Sequence, residues 1–348
     1  MAKETRILYL DRLRVFSILL VMLLHVAAAF WGYVPLDSGK FVALSVFNGL
    51  SHVCVPLLVM VTGALLLGRA DDRPIWQQVR GRISRIALAL AFWTLAYALI
   101  RSAIQGLSIG FGRELITYFF NCIKQPMHFW YLYMLLGLYL IIPILQVIVK
   151  QEQRTVYFLV LAFLISCVLP FVFDTVGFSQ QGSLRLEYLS FVAGYSGYCV
   201  LGRYLSQCDH DKGFIRTVIV LGLLSLLLIC VGTVIIARKF GISDCLFDYF
   251  SPLIWMGSSA VFLLFRRFGD AAPKTEKHRA LENRLNESSF GMYLVHMFFN
   301  EALILLGLTA QRFPALIAVP ILTAVVFIGS YVAVRILRRI PVFRNHFL

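Results

Sequence analysis

Apolar runs of membrane-spanning length recur along almost the whole chain, and no other feature restricts its fold so strongly. Crossing ~30 Å of hydrocarbon at ~1.5 Å per residue takes about 20 mainly apolar residues. Ten such runs are read at 8–31, 41–67, 83–106, 128–149, 155–173, 188–206, 215–237, 249–267, 286–308 and 313–337. Charged residues are 14% of the 348 residues, against about a quarter in a soluble domain, and they cluster between the runs. Alternating polar and apolar strands are absent, which leaves helices rather than a barrel. The expectation is an all-α, polytopic bundle forming a single membrane domain over 1–348, with no soluble domain. The run 188–206 is the most dilute, through Gly194, Gly197, Gly202 and Arg203. The stretch 107–127 holds a short interfacial helix near Arg113 to Ile123, and 268–285 reads as a charged linker.

Basic residues orient the spans. With the N-terminus cytoplasmic, 24 Lys and Arg fall on inner segments and 8 on outer ones. An even number of spans keeps this alternation, so both termini are placed in the cytoplasm. The net charge of +14 follows from these loops, which face anionic lipid heads, and nucleic-acid binding is not expected. Lys3, Arg6 and the run ending at Ala27-Ala28-Ala29 imitate a signal peptide. Asp11, Arg12 and Arg14 inside that run argue for a retained first span. The seven cysteines include no CxxC pair, and four sit in spans as small apolar fillers. No HExxH, no Cys/His cluster and no carboxylate-rich loop suggests a metal.

Ionisable residues inside spans cost ~2.5–3.5 kcal/mol or more and usually face a cavity or a partner. Span 1 carries Asp11, Arg14 and His25. At 100° per residue, Arg14 and His25 lie within about 20° of each other and ~16 Å apart along the axis. Asp11, three residues before Arg14, can pair with it. A cation at the inner rim and an imidazole three turns deeper suit coenzyme A, with phosphates at one end and a thioester at the other. Imidazole can also accept an alcohol proton near neutral pH. The alternative is that Asp11, Arg12 and Arg14 anchor the helix and His25 packs against a neighbour. Arg82 and Arg85 project together at i and i+3 and either clamp phosphates or fix topology. His52 falls in span 2, His128 at the outer start of span 4, and His296 in span 9. Tyr293, His296, Asn300 and Glu301 fall near one face of span 9, fit for a hydroxylated acceptor or for helix packing. Trp130, Tyr131 and Tyr133 read as an interfacial belt, though aromatics also stack on sugars.

Several of these segments together resemble the integral-membrane acyltransferase family 3. Tyr9-Leu10-Asp11-Arg12-Leu13-Arg14 is similar to its opening Asp-x-x-Arg, and His25 follows Arg14 at the family's spacing. His52 to Leu67, with Val55-Pro56-Leu57 and Thr62-Gly63, resembles its second span and Ser-Gly turn. Leu57-Leu58 and Thr62 stand where Phe-Phe and Ser are usual. Arg80 to Arg85 resembles its Arg-x-x-Arg. His128-Phe129-Trp130-Tyr131-Leu132 resembles His-x-Trp-Tyr-Leu, and Ser289 to His296 its late Ser-x-x-x-Tyr-Leu-x-His.

The resemblance implies a single-domain O-acyltransferase, most simply an O-acetyltransferase, in the bacterial inner membrane. It would move an acyl group from cytoplasmic acyl-CoA to a hydroxyl of an extracytoplasmic cell-envelope glycan or lipid-linked sugar. No permanently bound cofactor is implied; acyl-CoA is a substrate. His25, Arg14 and Asp11 would be catalytic, with Arg14, Arg82 and Arg85 on the coenzyme. His52, His128, Trp130, Tyr293, His296 and Glu301 would face the acceptor. A transporter or flippase for a lipid-linked saccharide would use the same polar cavity, and a non-catalytic partner in envelope assembly is a third reading.

Overall fold

The computed structural model describes residues 7–69, 73–109, 112–124, 128–176, 187–207, 210–273 and 275–348. The chain is a polytopic helical bundle, and the described residues contain no strand. It divides into two compact units. The first comprises Met1–Arg69 with Ile144–Tyr331, the second Ala70–Pro143 with Val332–Leu348.

Two prolines explain two of the helix breaks in the first unit. The run 41–67 is not one helix but two, α2 (Gly39–Ser51) and α3 (Cys54–Leu66), with a turn at His52 and Val53. Pro56 has no N–H for the carbonyl four residues back, at His52, and its ring crowds that carbonyl. His52 N–H instead bonds Gly49 O at 3.3 Å, a tighter turn. Pro170 acts the same way on the run 155–173. Four residues before it, Ser166 lies in a π-helical turn, Leu164–Val168, between α7 (Glu152–Phe163) and α8 (Leu169–Val176). α9 (Glu187–Gln207) breaks at Gly194, where φ is −23° and ψ −113°.

Side-chain caps fix several helix starts. Ser38 accepts from Phe41 N–H to start α2, and Asp211 from Gly213 N–H to start α10 (Lys212–Phe240). Ser251, with Pro252 at the first turn, starts α11 (Pro252–Phe268). Thr275 accepts from His278 N–H to start α12 (Glu276–Leu305). The expected linker 268–285 is therefore helical from Glu276 onward. Its last part is an N-terminal extension of α12, held by a Thr275 cap and the Glu276–Arg279 pair at 3.1 Å.

Among the described residues, seven helical segments are long and apolar enough to cross a membrane. The runs 188–206, 249–267 and 286–308 fall short of that measure. Glycines and polar residues dilute α9, and α11 has only 17 residues. α12 carries His296, Asn300 and Glu301. α11 and α12 both pack on α1 (Leu8–Ala28) in the interior, where polar side chains cost least. α10 shows the lipid-facing pattern plainly. Leu221, Leu224, Leu228 and Ile235 are exposed, whereas Gly222, Ser225, Thr233 and Ala237 are buried. Large apolar residues face outward and small ones face the neighbouring helices, as expected where lipid replaces water.

The tightest crossing is α3 on α9. A Cβ on Gly63 would strike the backbone carbonyl of Cys199, and one on Gly202 would strike that of Met60. The two glycines let the backbones touch. Thr62-Gly63 is thus helical rather than a turn, with Thr62 Oγ1 donating back to Leu58 O at 2.9 Å. Gly63→Ala should lower the melting temperature in detergent, because overpacking costs about 1–3 kcal/mol. Gly137, whose Cβ would meet nothing, is the control. Gly137→Ala should be neutral or stabilising, and equal melting of the two variants would contradict the crossing.

The second unit contains α4 (Ile75–Ile109), α5 (Arg113–Lys124) and the start of α6 (Trp130–Ile148). α4 begins well before the expected residue 83, so Arg80, Arg82 and Arg85 are helical. Phe343 and Phe347, in a π-helical turn near the C-terminus, pack on Phe92 of α4. The remaining helix is α13 (Ala315–Leu337).

Candidate active site

The N-terminal turns of α1 are tied to α12 by a polar network. Arg12 meets Glu282 through Nε at 3.0 Å and Nη2 at 2.8 Å, and donates to Gly269 O at 2.6 Å. Tyr9 N–H donates to Asp270 Oδ1 at 3.1 Å. Arg14 Nη1 donates to Asn286 Oδ1 at 2.9 Å, and Asn286 Nδ2 donates to Asp11 Oδ1 at 2.7 Å. The direct Arg14–Asp11 approach is 3.8 Å. The local pair read from the i, i+3 spacing is present, but Asn286 supplies the shorter contacts to both partners. Sequence reasoning missed Asn286, whose only signal is its place seven residues, two helical turns, before Tyr293.

Three turns deeper on the same α1 face, His25 meets His296. Their ring centroids are 5.2 Å apart with 37° between the planes. His296 is fully buried and His25 is half-buried. His296 Nδ1 lies 2.5 Å from Tyr293 O. A carbonyl only accepts, so Nδ1 carries the proton and Nε2 a lone pair. Tyr293 and His296 also stack at 5.7 Å.

His52 joins this group from the α2–α3 break, close enough to His25 for their charges to interact. Its Nδ1 lies 2.8 Å from Asn48 O, which fixes the same tautomer, with Nε2 as acceptor. Phe247 and Tyr249 flank the ring at 4.6 and 5.3 Å. Three imidazoles from α1, the α2–α3 break and α12 thus share one region. Among the described residues no group of three His, Cys, Asp or Glu is arranged to hold a metal. Cys54, Cys122, Cys167, Cys199, Cys230 and Cys245 are free thiols, and Cys208 lies outside the described residues.

The other candidates are distributed. On α12, Tyr293 and Asn300 are buried and Glu301 is half-buried at the edge of their face. Arg82, Arg85, His128 and Trp130 belong to the second unit. There Arg85 Nη2 donates to Leu348 O at 2.9 Å. Arg82 Nη1 is buried without a hydrogen-bond partner among the described residues. His128 is buried against Tyr97 and Phe129, with ring centroids at 5.1 and 4.1 Å. Trp130 and Tyr133 are exposed as a belt requires, but Tyr131 is buried.

A cavity of about 270 Å³ opens beside α1, lined by Val15, Phe16, Leu19, Leu285 and Phe327 with Asp11 and Arg12 among its walls. Phe16 and His25 are about half a turn apart around the helix, so this cavity does not hold the histidines.

A cation at one end of a helix face and paired imidazoles at the other can hold an anionic, extended donor and move a proton at its far end. The comparisons bear on that chemistry. A family model described as an acyltransferase domain matches residues 7–335. No curated protein and no solved structure matches. With nearly its whole length covered, this multi-pass membrane protein belongs to the acyltransferase 3 family.

Proposed function

We propose that the protein transfers an acyl group, most simply acetyl, from cytoplasmic acyl-CoA to a hydroxyl of an extracytoplasmic cell-envelope glycan or lipid-linked sugar. The observation that carries this reading is the α1 face with Arg14 at one end and the His25–His296 pair at the other. Arg14, oriented by Asp11 and Asn286, binds coenzyme phosphate as a charge-assisted donor. His25 takes the acceptor's hydroxyl proton as the alkoxide oxygen bonds to the acyl carbon. The carbon–sulfur bond breaks, and the proton passes to coenzyme A, which leaves as the thiol. His296, its ring packed against that of His25, fixes the orientation of the base.

The reading includes ten spans, both termini in the cytoplasm and residence in the bacterial inner membrane, supported by the inner excess of Lys and Arg. Sealed vesicles test donor and sidedness together. With radiolabelled acetyl-CoA outside, inside-out vesicles bearing the protein should label their glycan fraction, and right-side-out vesicles should not. Label from right-side-out vesicles would reverse the topology. No label from either, with lipid-linked saccharide moved across the bilayer instead, would favour a flippase.

A further inference from the structure

Asn48 is a buried amide whose side-chain oxygen has no hydrogen-bond partner among the described residues. It is 2% exposed. A buried polar group left in that state destabilises a protein by about 1–3 kcal/mol, so its retention needs a reason. Its backbone carbonyl is already engaged, accepting from His52 Nδ1.

Its position supplies the reason. Phe41, Ser45, Asn48 and His52 recur at the 4-3-4 spacing of one helical face. Both ends of that face meet α1 and the turn after it. Trp31 Nε1 donates to Ser45 Oγ at 2.9 Å and the Trp31 ring stacks on Phe41, while His52 lies in electrostatic reach of His25. Asn48 therefore lies between these contacts, one turn from His52 on its side of the α1–α2 pair. His52 offers a lone pair at Nε2, and an amide offers both a donor and an acceptor.

We propose that Asn48 and His52 form the acceptor subsite, and that it selects a polyol. The hydroxyl that reacts goes to His25, and a neighbouring hydroxyl of the same molecule donates to His52 Nε2. The Asn48 amide completes the hydrogen bonds of that neighbour. An acceptor with adjacent hydroxyls, as in a sugar ring, satisfies all three groups. A lone alcohol or an amine leaves the buried amide unmet. This inference rests on the acyl-transfer reading above and assigns residues to its acceptor side.

Asn48→Leu removes the amide and keeps the branched shape of the side chain. The assay uses radiolabelled acetyl-CoA as donor and native envelope membranes, with their own glycans, as acceptor. Transfer should fall about 10- to 100-fold, the range for leaving a buried hydrogen-bonding group unmatched. Acetyl-CoA affinity should stay at the wild-type value, and the melting temperature should hold or rise, because no hydrogen bond among the described residues is lost. Normal transfer by the variant overturns the subsite. So does an equal loss of acetyl-CoA affinity, which would move Asn48 to the donor side. If Asn48→Leu does not fold, Asn48→Ala decides. Failure of both to fold makes the amide structural and the proposal wrong. An inactive wild type would instead sink the acyl-transfer reading itself.

Discussion

Purified His25→Ala should transfer acyl groups at least about a hundredfold more slowly than wild type while binding acyl-CoA normally. Proton transfer by a positioned side chain contributes about 10²–10⁴-fold, so a hundredfold is the lower bound. Binding should survive because the coenzyme's charged end is met three turns away, at Arg14. The fold should survive too. His25 contributes a ring contact to His296 but caps no helix. Stopped transfer with intact acyl-CoA affinity and an unchanged melting temperature is the signature of a reacting group. A variant that is inactive only because it is unfolded would make the imidazole a packing residue and remove the proposed base. His296→Ala should act through His25, lowering turnover with little change in the affinity for either substrate.

Arg14→Ala should show the opposite profile. Loss of a charge-assisted contact to phosphate costs about 1.5–3 kcal/mol, which is about 10- to 150-fold in acyl-CoA affinity. The structure adds that Arg14 does not act alone. Asn286 bonds to both Arg14 and Asp11, so removing either the guanidinium or the amide disturbs one shared network. Arg14→Ala and Asn286→Ala should therefore combine non-additively in calorimetric titrations with acyl-CoA. Strict additivity would mean that Asn286 does not orient Arg14. Unchanged affinity in Arg14→Ala would remove the phosphate role and leave only the interfacial anchor.

Much of the layout was legible in the sequence, because the bilayer imposes simple lengths. The apolar runs mark where helices lie, and the Arg14–His25 spacing places both residues on one face. The stripe on α12 was also readable, and Tyr293, His296 and Asn300 are buried together. The division of span 2 was present in Pro56 but hidden by the apolar residues around it. The long α12 was obscured because charges at 276–287 look like a loop, although Thr275 is a sound cap. Partners distant in sequence could not be read. Nothing local pairs Gly63 with Cys199, His25 with His296, or Asp11 with Asn286. Those depend on which helices become neighbours, and apolar composition is much the same on every lipid-facing surface.

The contact of His25 with a residue 271 positions later sets a clock on the protein's own manufacture. At about 5–20 residues per second, a ribosome takes on the order of 15 to 50 s to reach α12 after inserting α1. During that interval Arg12 has no Glu282 and Arg14 has no Asn286. Asp11, on the same helix, is already present to offset charge while α1 waits in the bilayer. The nearby carboxylate thus serves the nascent chain first and the finished protein second. The unfinished chain also holds an incomplete imidazole pair, so on the acyl-transfer reading proposed above no transfer begins until α12 has entered the membrane.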